Sequence, residues 1–144
     1  MLFGKRKHIV KRILVVEDEP LTAFDNEQML GDLGYEVVAT LDSFDAAIAC
    51  IDREKVDLIL SDYRLQGERT GLDLARAAKQ RGVPILFATG HTLPPEATEL
   101  AVGVLMKPYS ERTLKGALAS IDRLLAGEPP KPPRGMQLFP AAGA

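Results

Sequence analysis

Three carboxylates, a hydroxyl and an ammonium group follow the apolar runs of this sequence. They are Glu17 and Asp18 after the run ILVV, Asp62 after LILS, Thr89 after ILFA and Lys107 after VLM. Crowded carboxylates raise one another's pKa unless a cation joins them, and oxygen ligands suit Mg²⁺, which also binds phosphate oxygens. An aspartate beside such a cation can attack phosphorus, while a lysine charge and a threonine hydroxyl can bind phosphoryl oxygens. The set predicts magnesium-dependent phosphoryl chemistry.

Short apolar runs alternate with amphipathic stretches, and this alternation would bring those side chains together. The pattern predicts strands at 13–16, 36–40, 56–61, 84–88 and 104–106, and helices at 20–33, 43–54, 72–81, 94–101 and from an N-cap at Ser110 to Gly127. Five such units in alternation predict a parallel sheet with helices on both faces. Ligands of such sheets bind beyond the carboxyl ends of the strands, where the candidate residues lie.

Length and composition indicate one folded domain. The chain has 144 residues, 46% of them hydrophobic, and a net charge of −2, which gives no reason to expect general affinity for nucleic acid. The single cysteine cannot form an internal disulfide, and no apolar run approaches the roughly 18 residues of a membrane span, so a cytoplasmic location is expected. We expect a basic leader at 1–10, the folded domain at 11–127 and a Pro-rich tail at 128–144.

Four short motifs, in order at the predicted strand ends, resemble the response-regulator receiver family over residues 11–127. They are VVEDE at 15–19, DLILSD at 57–62, ATG at 88–90 and MKP at 106–108. The resemblance implies a flavodoxin-like, doubly wound five-stranded parallel sheet in the order 2-1-3-4-5. It also implies phosphorylation by a histidine kinase or a histidine phosphotransfer protein.

The same resemblance assigns roles to the site residues. It implies that Asp62 is the phosphoacceptor and that Thr89 and Lys107 contact the phosphoryl oxygens. The implied Mg²⁺ ligands are Glu17, Asp18, Asp62 and the backbone carbonyl of Arg64.

The chain departs from the usual receiver pattern at three places. Val104 stands where the family usually carries a switching Tyr or Phe, and the stretch between Thr89 and Lys107 is shorter than is typical. The sequence FATG at 87–90 resembles an alphaproteobacterial receiver subgroup that also lacks the aromatic switch. Arg64 and His91 lie two residues after Asp62 and Thr89, and we weigh a role in shielding the phosphoryl group against an inert position in exposed loops.

The leading interpretation is a single-domain response regulator that signals through protein contacts and is not an enzyme beyond its own phosphorylation and slow dephosphorylation. The alternative kept open is a pseudo-receiver that binds partners without phosphorylation. A phosphatase of the haloacid dehalogenase type would need a second aspartate where Arg64 stands, and a DNA-binding regulator is the weakest interpretation. Separately, Glu17 and Asp18 have a plainer interpretation as acids of a helix first turn.

Overall fold

The structure, a computed structural model, describes residues 8–65 and 67–139. Strands and helices alternate along the chain until a final strand follows the last helix. The strands are β1 (Arg12–Val16), β2 (Glu36–Leu41), β3 (Leu58–Asp62), β4 (Ile85–Thr89), β5 (Gly103–Met106) and β6 (Met136–Leu138). The helices are α1 (Pro20–Asp32), α2 (Phe44–Arg53), α3 (Gly71–Gln80), α4 (Ala97–Leu100) and α5 (Glu111–Leu125).

The sheet has the strand order β2-β1-β3-β4-β5-β6. Strands β1 to β5 pair in parallel, which confirms the doubly wound, flavodoxin-like α/β fold with its 2-1-3-4-5 order. The expected count of five strands is wrong, because β6 pairs antiparallel with β5. It comes from within the segment 128–144, which was expected to be a tail. Three residues after a Pro-rich stretch are too few to show a strand pattern in sequence.

Two layers of apolar side chains cover the two faces of the sheet. On β1, Leu14 and Val16 point to one layer and Ile13 and Val15 to the other, because successive side chains of a strand alternate between faces. Helices α2, α3 and α4 pack on the first face, and α1 and α5 pack on the second. This double burial explains the nearly continuous apolar strands seen in the sequence. Within the described ranges, no helix is long and apolar enough to cross a membrane.

The ends of the helices follow capping chemistry that is visible in the sequence. Glu19 is the N-cap of α1, and its carboxylate accepts a hydrogen bond of 2.8 Å from the amide of Thr22.

The helix expected at 94–101 is reduced to the four residues of α4. Each proline disfavours the helical conformation of the residue before it, so Pro94 and Pro95 delay the start of the helix.

The last two residues of the expected basic leader, Ile9 and Val10, pack against the folded domain. Val10 is buried, and the amides of Ile9 and Val10 donate to the Asp122 carboxylate on α5 at 2.8 and 2.9 Å. Residues 1–7 lie outside the described part of the chain.

Substituting alanine for Gly71 is expected to lower the free energy of unfolding by about 1–3 kcal/mol, the usual cost of overpacking. A Cβ at this position would lie 2.5 Å from the carbonyl oxygen of Tyr63 and 2.9 Å from its Cα, which are backbone atoms of the loop after β3. Urea unfolding measures the change. Gly31→Ala is the control, because a Cβ there meets nothing within 4 Å and alanine favours the helix. Equal effects of the two substitutions would contradict this account.

Candidate functional site

The three predicted carboxylates meet at the carboxyl ends of β1 and β3. These strands are parallel neighbours, with Val16 paired to Ser61, so the residues that follow them lie side by side. One carboxylate oxygen from each of Glu17, Asp18 and Asp62 lies within 4.8 Å of the other two. Negative charges this close repel one another, and oxygen donors at this spacing suit a hard divalent cation.

Lys107 lies between two of these carboxylates. Its Nζ is 2.6 Å from Glu17 Oε1 and 3.4 Å from Asp62 Oδ2. The amide of Glu19 also donates to Glu17 Oε2, at 3.2 Å. Burial raises the pKa of Glu17 above its ordinary value, and the opposing effects of the Lys107 ammonium and these hydrogen bonds do not cancel it. The Lys107 ammonium is thus paired with two of the three carboxylates.

Thr89 ends β4 beside the strand that carries Asp62. The register pairs Asp62 with Ala88, and Thr89 is the next residue. Its side chain is buried, and its Oγ1 accepts a hydrogen bond of 3.1 Å from the amide of His91. Its carbonyl accepts from the amide of Lys107 at 2.9 Å, so these two residues are held together at the ends of β4 and β5.

Asp62 is half-buried, so its carboxylate is within reach of solvent. The amide of Arg64 donates to Asp62 Oδ1 at 3.2 Å, which places the Arg64 backbone at the site. The side chains of Arg64 and His91 are exposed, and their shielding of a phosphoryl group stays a prediction. All six residues singled out from the sequence, Glu17, Asp18, Asp62, Arg64, Thr89 and Lys107, therefore lie at the carboxyl-terminal edge of the sheet.

Glu17 and Asp18 are not first-turn acids of α1. The first turn of this helix contains no acidic residue, and Glu19 serves as its N-cap. Glu19 comes nearest to that interpretation, because its carboxylate caps the start of the helix.

A hydrogen bond from α1 supports the site, and no sequence pattern predicts it. The hydroxyl of Tyr109 donates to Oδ1 of the buried Asn26 at 2.6 Å. Burial, followed by the nearby Glu17 carboxylate, raises the pKa of Tyr109 far above its ordinary value, so the phenol stays neutral. The one available signal was the position of Tyr109, two residues after Lys107.

Fold and site together define a receiver module of two-component signalling. The sequence matches the model of the response regulator receiver domain over residues 13–119. The chain belongs to the response regulator receiver family, whose domains are signalling modules rather than true enzymes.

Relatives of this chain carry the same domain in different settings. The transcriptional regulatory protein PdtaR of Mycobacterium tuberculosis is 32% identical over 107 residues, covering 71% of this chain and 52% of PdtaR. The chain thus spans about half the length of this curated relative. Among solved structures, the receiver domain of the sensor histidine kinase PA1611 from Pseudomonas aeruginosa PAO1, with a magnesium ion coordinated in its active-site cleft, matches with a TM-score of 0.66 and 29% identity. The match covers 76% of this chain and 94% of that one.

A third relative is the anti-anti-sigma factor PhyR from Bartonella quintana. Its structure matches with a TM-score of 0.63 and 28% identity, covering 76% of this chain and 46% of PhyR.

Proposed function

We propose that this protein is a response regulator that takes a phosphoryl group onto Asp62 from a histidine kinase or a histidine phosphotransfer protein. It then signals through contacts with other proteins. The observation that carries this proposal is the position of Lys107, whose ammonium lies 3.4 Å from Asp62 Oδ2 and within hydrogen-bonding distance of Glu17. A cation beside a reachable carboxylate can stabilise the negative charge of an incoming phosphoryl group.

The donor set fits Mg²⁺. Three carboxylates whose ligand atoms lie within 4.8 Å of one another offer the hard oxygen ligands that this cation prefers. Glu17, Asp18, Asp62 and the backbone carbonyl of Arg64 would hold it. When bound, Mg²⁺ neutralises the developing charge on phosphoryl oxygens.

The nucleophile and the groups that bind the phosphoryl oxygens are side chains of this protein. A carboxylate oxygen of Asp62 attacks phosphorus, the new O–P bond forms, and the P–N bond to the donor's histidine breaks and leaves its electron pair on the imidazole. The Lys107 ammonium and the Thr89 hydroxyl bind phosphoryl oxygens, and a backbone hydrogen bond holds the two residues together at the ends of β4 and β5. Hydrolysis of the acyl phosphate later restores Asp62.

Two exposed apolar side chains on α1 support a protein as the phosphoryl donor. Leu21 is 74% exposed and Phe24 is 56% exposed, and both lie in the first two turns of α1, directly after the acidic residues 17–19. Exposed large apolar residues beside a reactive group are typical of a protein contact surface. We propose that the donor docks on this part of α1 and presents its phosphohistidine to Asp62.

The test is the intact mass of the protein after incubation with Mg²⁺ and acetyl phosphate. The proposal predicts one phosphoryl adduct that requires Mg²⁺ and is absent from Asp62→Asn. Asp42→Asn, an exposed aspartate after β2, is the matched control and should be modified like the wild type. An adduct of equal yield on Asp62→Asn would contradict the proposal.

As the pH is lowered, affinity for Mg²⁺ is expected to begin to fall at a higher pH than it would if Glu17 were an exposed carboxylate. The cation binds the ionised form of Glu17, and burial raises the pKa of this group, so protons begin to compete at a higher pH. Calorimetric titration with Mg²⁺ between pH 5 and pH 7.5 measures this dependence. Glu17→Gln should flatten it, and equal affinity of the wild type across the whole range would contradict the expectation.

A partner-binding role without phosphorylation is the second candidate. It is favoured by the similarity to PhyR, which is described as an anti-anti-sigma factor and therefore points to regulation by protein contact. Under this alternative, the acidic cluster serves as a binding surface. Failure of acetyl phosphate and of a panel of histidine kinases to modify Asp62 would favour it.

A further inference from the structure

Residues 133–139, here named the C-terminal strap, cover the outer edge of β5. The strap contains β6, which pairs antiparallel with β5 in the register Gly103 to Leu138 and Leu105 to Met136. Two further backbone hydrogen bonds close its ends. The amide of Met106 donates to the carbonyl of Gly135 at 2.8 Å, and the amide of Phe139 donates to the carbonyl of Val102 at 3.0 Å.

The strap also contributes a side chain to the core. Phe139 is 4% exposed and belongs to the apolar layer that contains Val104, Ala97 and Ala101. An aromatic ring from the strap thus packs in the layer on the α4 side of β5. The strap is held by backbone pairing along the edge and by this one anchored ring.

The strap and the phosphorylation site share structural elements. Phe139, Gln137 and Val104 line a cavity of about 260 Å³ that is also lined by the loop at residues 91–95. That loop begins at His91, whose amide donates to Thr89 Oγ1. On the other side, β5 leads directly from the strap contact at Met106 into Lys107.

We infer that attachment of the C-terminal strap and phosphorylation of Asp62 are coupled, so that phosphorylation loosens the strap. This inference rests on the proposed function. When the Thr89 hydroxyl binds a phosphoryl oxygen on Asp62, the oxygen that accepts the hydrogen bond from His91 is drawn toward Asp62 and this bond weakens. The loop at 91–95 then loses an anchor and withdraws from the cavity against which Phe139 packs. By reciprocity, release of the strap favours the phosphorylated form.

Gly103 offers a selective way to detach the strap in the full-length chain. A Cβ at this position would overlap the carbonyl oxygen of Gln137, and its next nearest neighbours also belong to β6. Gly103→Ala therefore clashes with the strap and with no other element nearby. Phe139→Ala removes the anchored ring and serves as a second, independent variant. Arg134→Ala, an exposed side chain of the strap, is the control.

The experiment measures hydrogen exchange of the Phe139 amide in the full chain, with Mg²⁺ and with or without beryllofluoride, which mimics the phosphoryl group. Bound beryllofluoride is expected to accelerate this exchange roughly fivefold or more, the lower end of typical coupling between sites. In Gly103→Ala and Phe139→Ala, the amide of residue 139 should exchange quickly without beryllofluoride. Both variants should also be phosphorylated by acetyl phosphate faster than the wild type, by a similar factor. Arg134→Ala should match the wild type in both measurements.

Fluorine NMR of bound beryllofluoride separates the two ways of failing. Binding without any acceleration of Phe139 exchange, or with slower exchange, would overturn the coupling and leave the proposed function standing. A wild-type protein that binds no beryllofluoride and gains no phosphoryl adduct would overturn the proposed function and the coupling with it. Should Gly103→Ala not fold, Phe139→Ala carries the reciprocal measurement, and an unchanged phosphorylation rate there would likewise overturn the coupling.

Discussion

Replacing Lys107 by alanine is expected to slow phosphorylation by acetyl phosphate about 100-fold, the usual cost of removing one group that stabilises transition-state charge. Its ammonium lies within 3.4 Å of both Asp62 Oδ2 and Glu17 Oε1, so the substitution removes the cation nearest to the reacting carboxylate. The rate of adduct formation, read as intact mass against time, measures the effect.

Two controls separate this effect from a loss of structure. Lys115→Ala removes an exposed lysine of α5 and should leave the rate unchanged. The melting temperature of Lys107→Ala must also be recorded, because the substitution leaves Glu17 buried without its ion pair. A folded Lys107→Ala protein that is phosphorylated at the wild-type rate would contradict the role of Lys107.

Phe87→Ala is expected to lower the free energy of unfolding by about 3–5 kcal/mol, the range for a buried phenylalanine. Phe87 is fully buried in β4, and its ring meets that of Tyr63 edge to face at a centroid distance of 5.7 Å. The substitution would leave a cavity beneath the strand ends that carry Asp62 and Thr89. Urea unfolding followed by circular dichroism measures the loss.

The matched control is Phe24→Ala on α1. Phe24 is 56% exposed, so its removal should change stability by no more than about 0.5 kcal/mol. Similar losses for the two phenylalanines would contradict the burial on which the layered core depends.

The five parallel strands and the positions of the candidate site residues were predictable because both follow from local patterns. Apolar runs such as ILVV and ILFA are too short for buried helices and are bounded by helix-start and turn residues. Once the strands are parallel, their carboxyl ends share one edge, and the residues that follow them must lie near one another. The convergence of Glu17, Asp18 and Asp62 also needed β1 and β3 to be neighbours, and that strand order was implied by the resemblance to the receiver family.

The features that the sequence did not reveal depend on contacts distant along the chain. β6 was missed because its three residues carry no periodic pattern and are defined by pairing with β5, more than thirty residues earlier. The hydrogen bond between Tyr109 and Asn26 spans 83 residues. The position of Lys107 between Glu17 and Asp62 likewise depends on side-chain conformations rather than on spacing.

The most direct test of the central claim is to locate the phosphoryl group on the chain. After reaction with Mg²⁺ and acetyl phosphate, borohydride reduces an aspartyl phosphate to homoserine, which tandem mass spectrometry identifies within a peptide. Homoserine is expected at position 62 alone, and only when Mg²⁺ was present. Homoserine at Asp18, or an unmodified Asp62 in a protein that carries the adduct elsewhere, would contradict it.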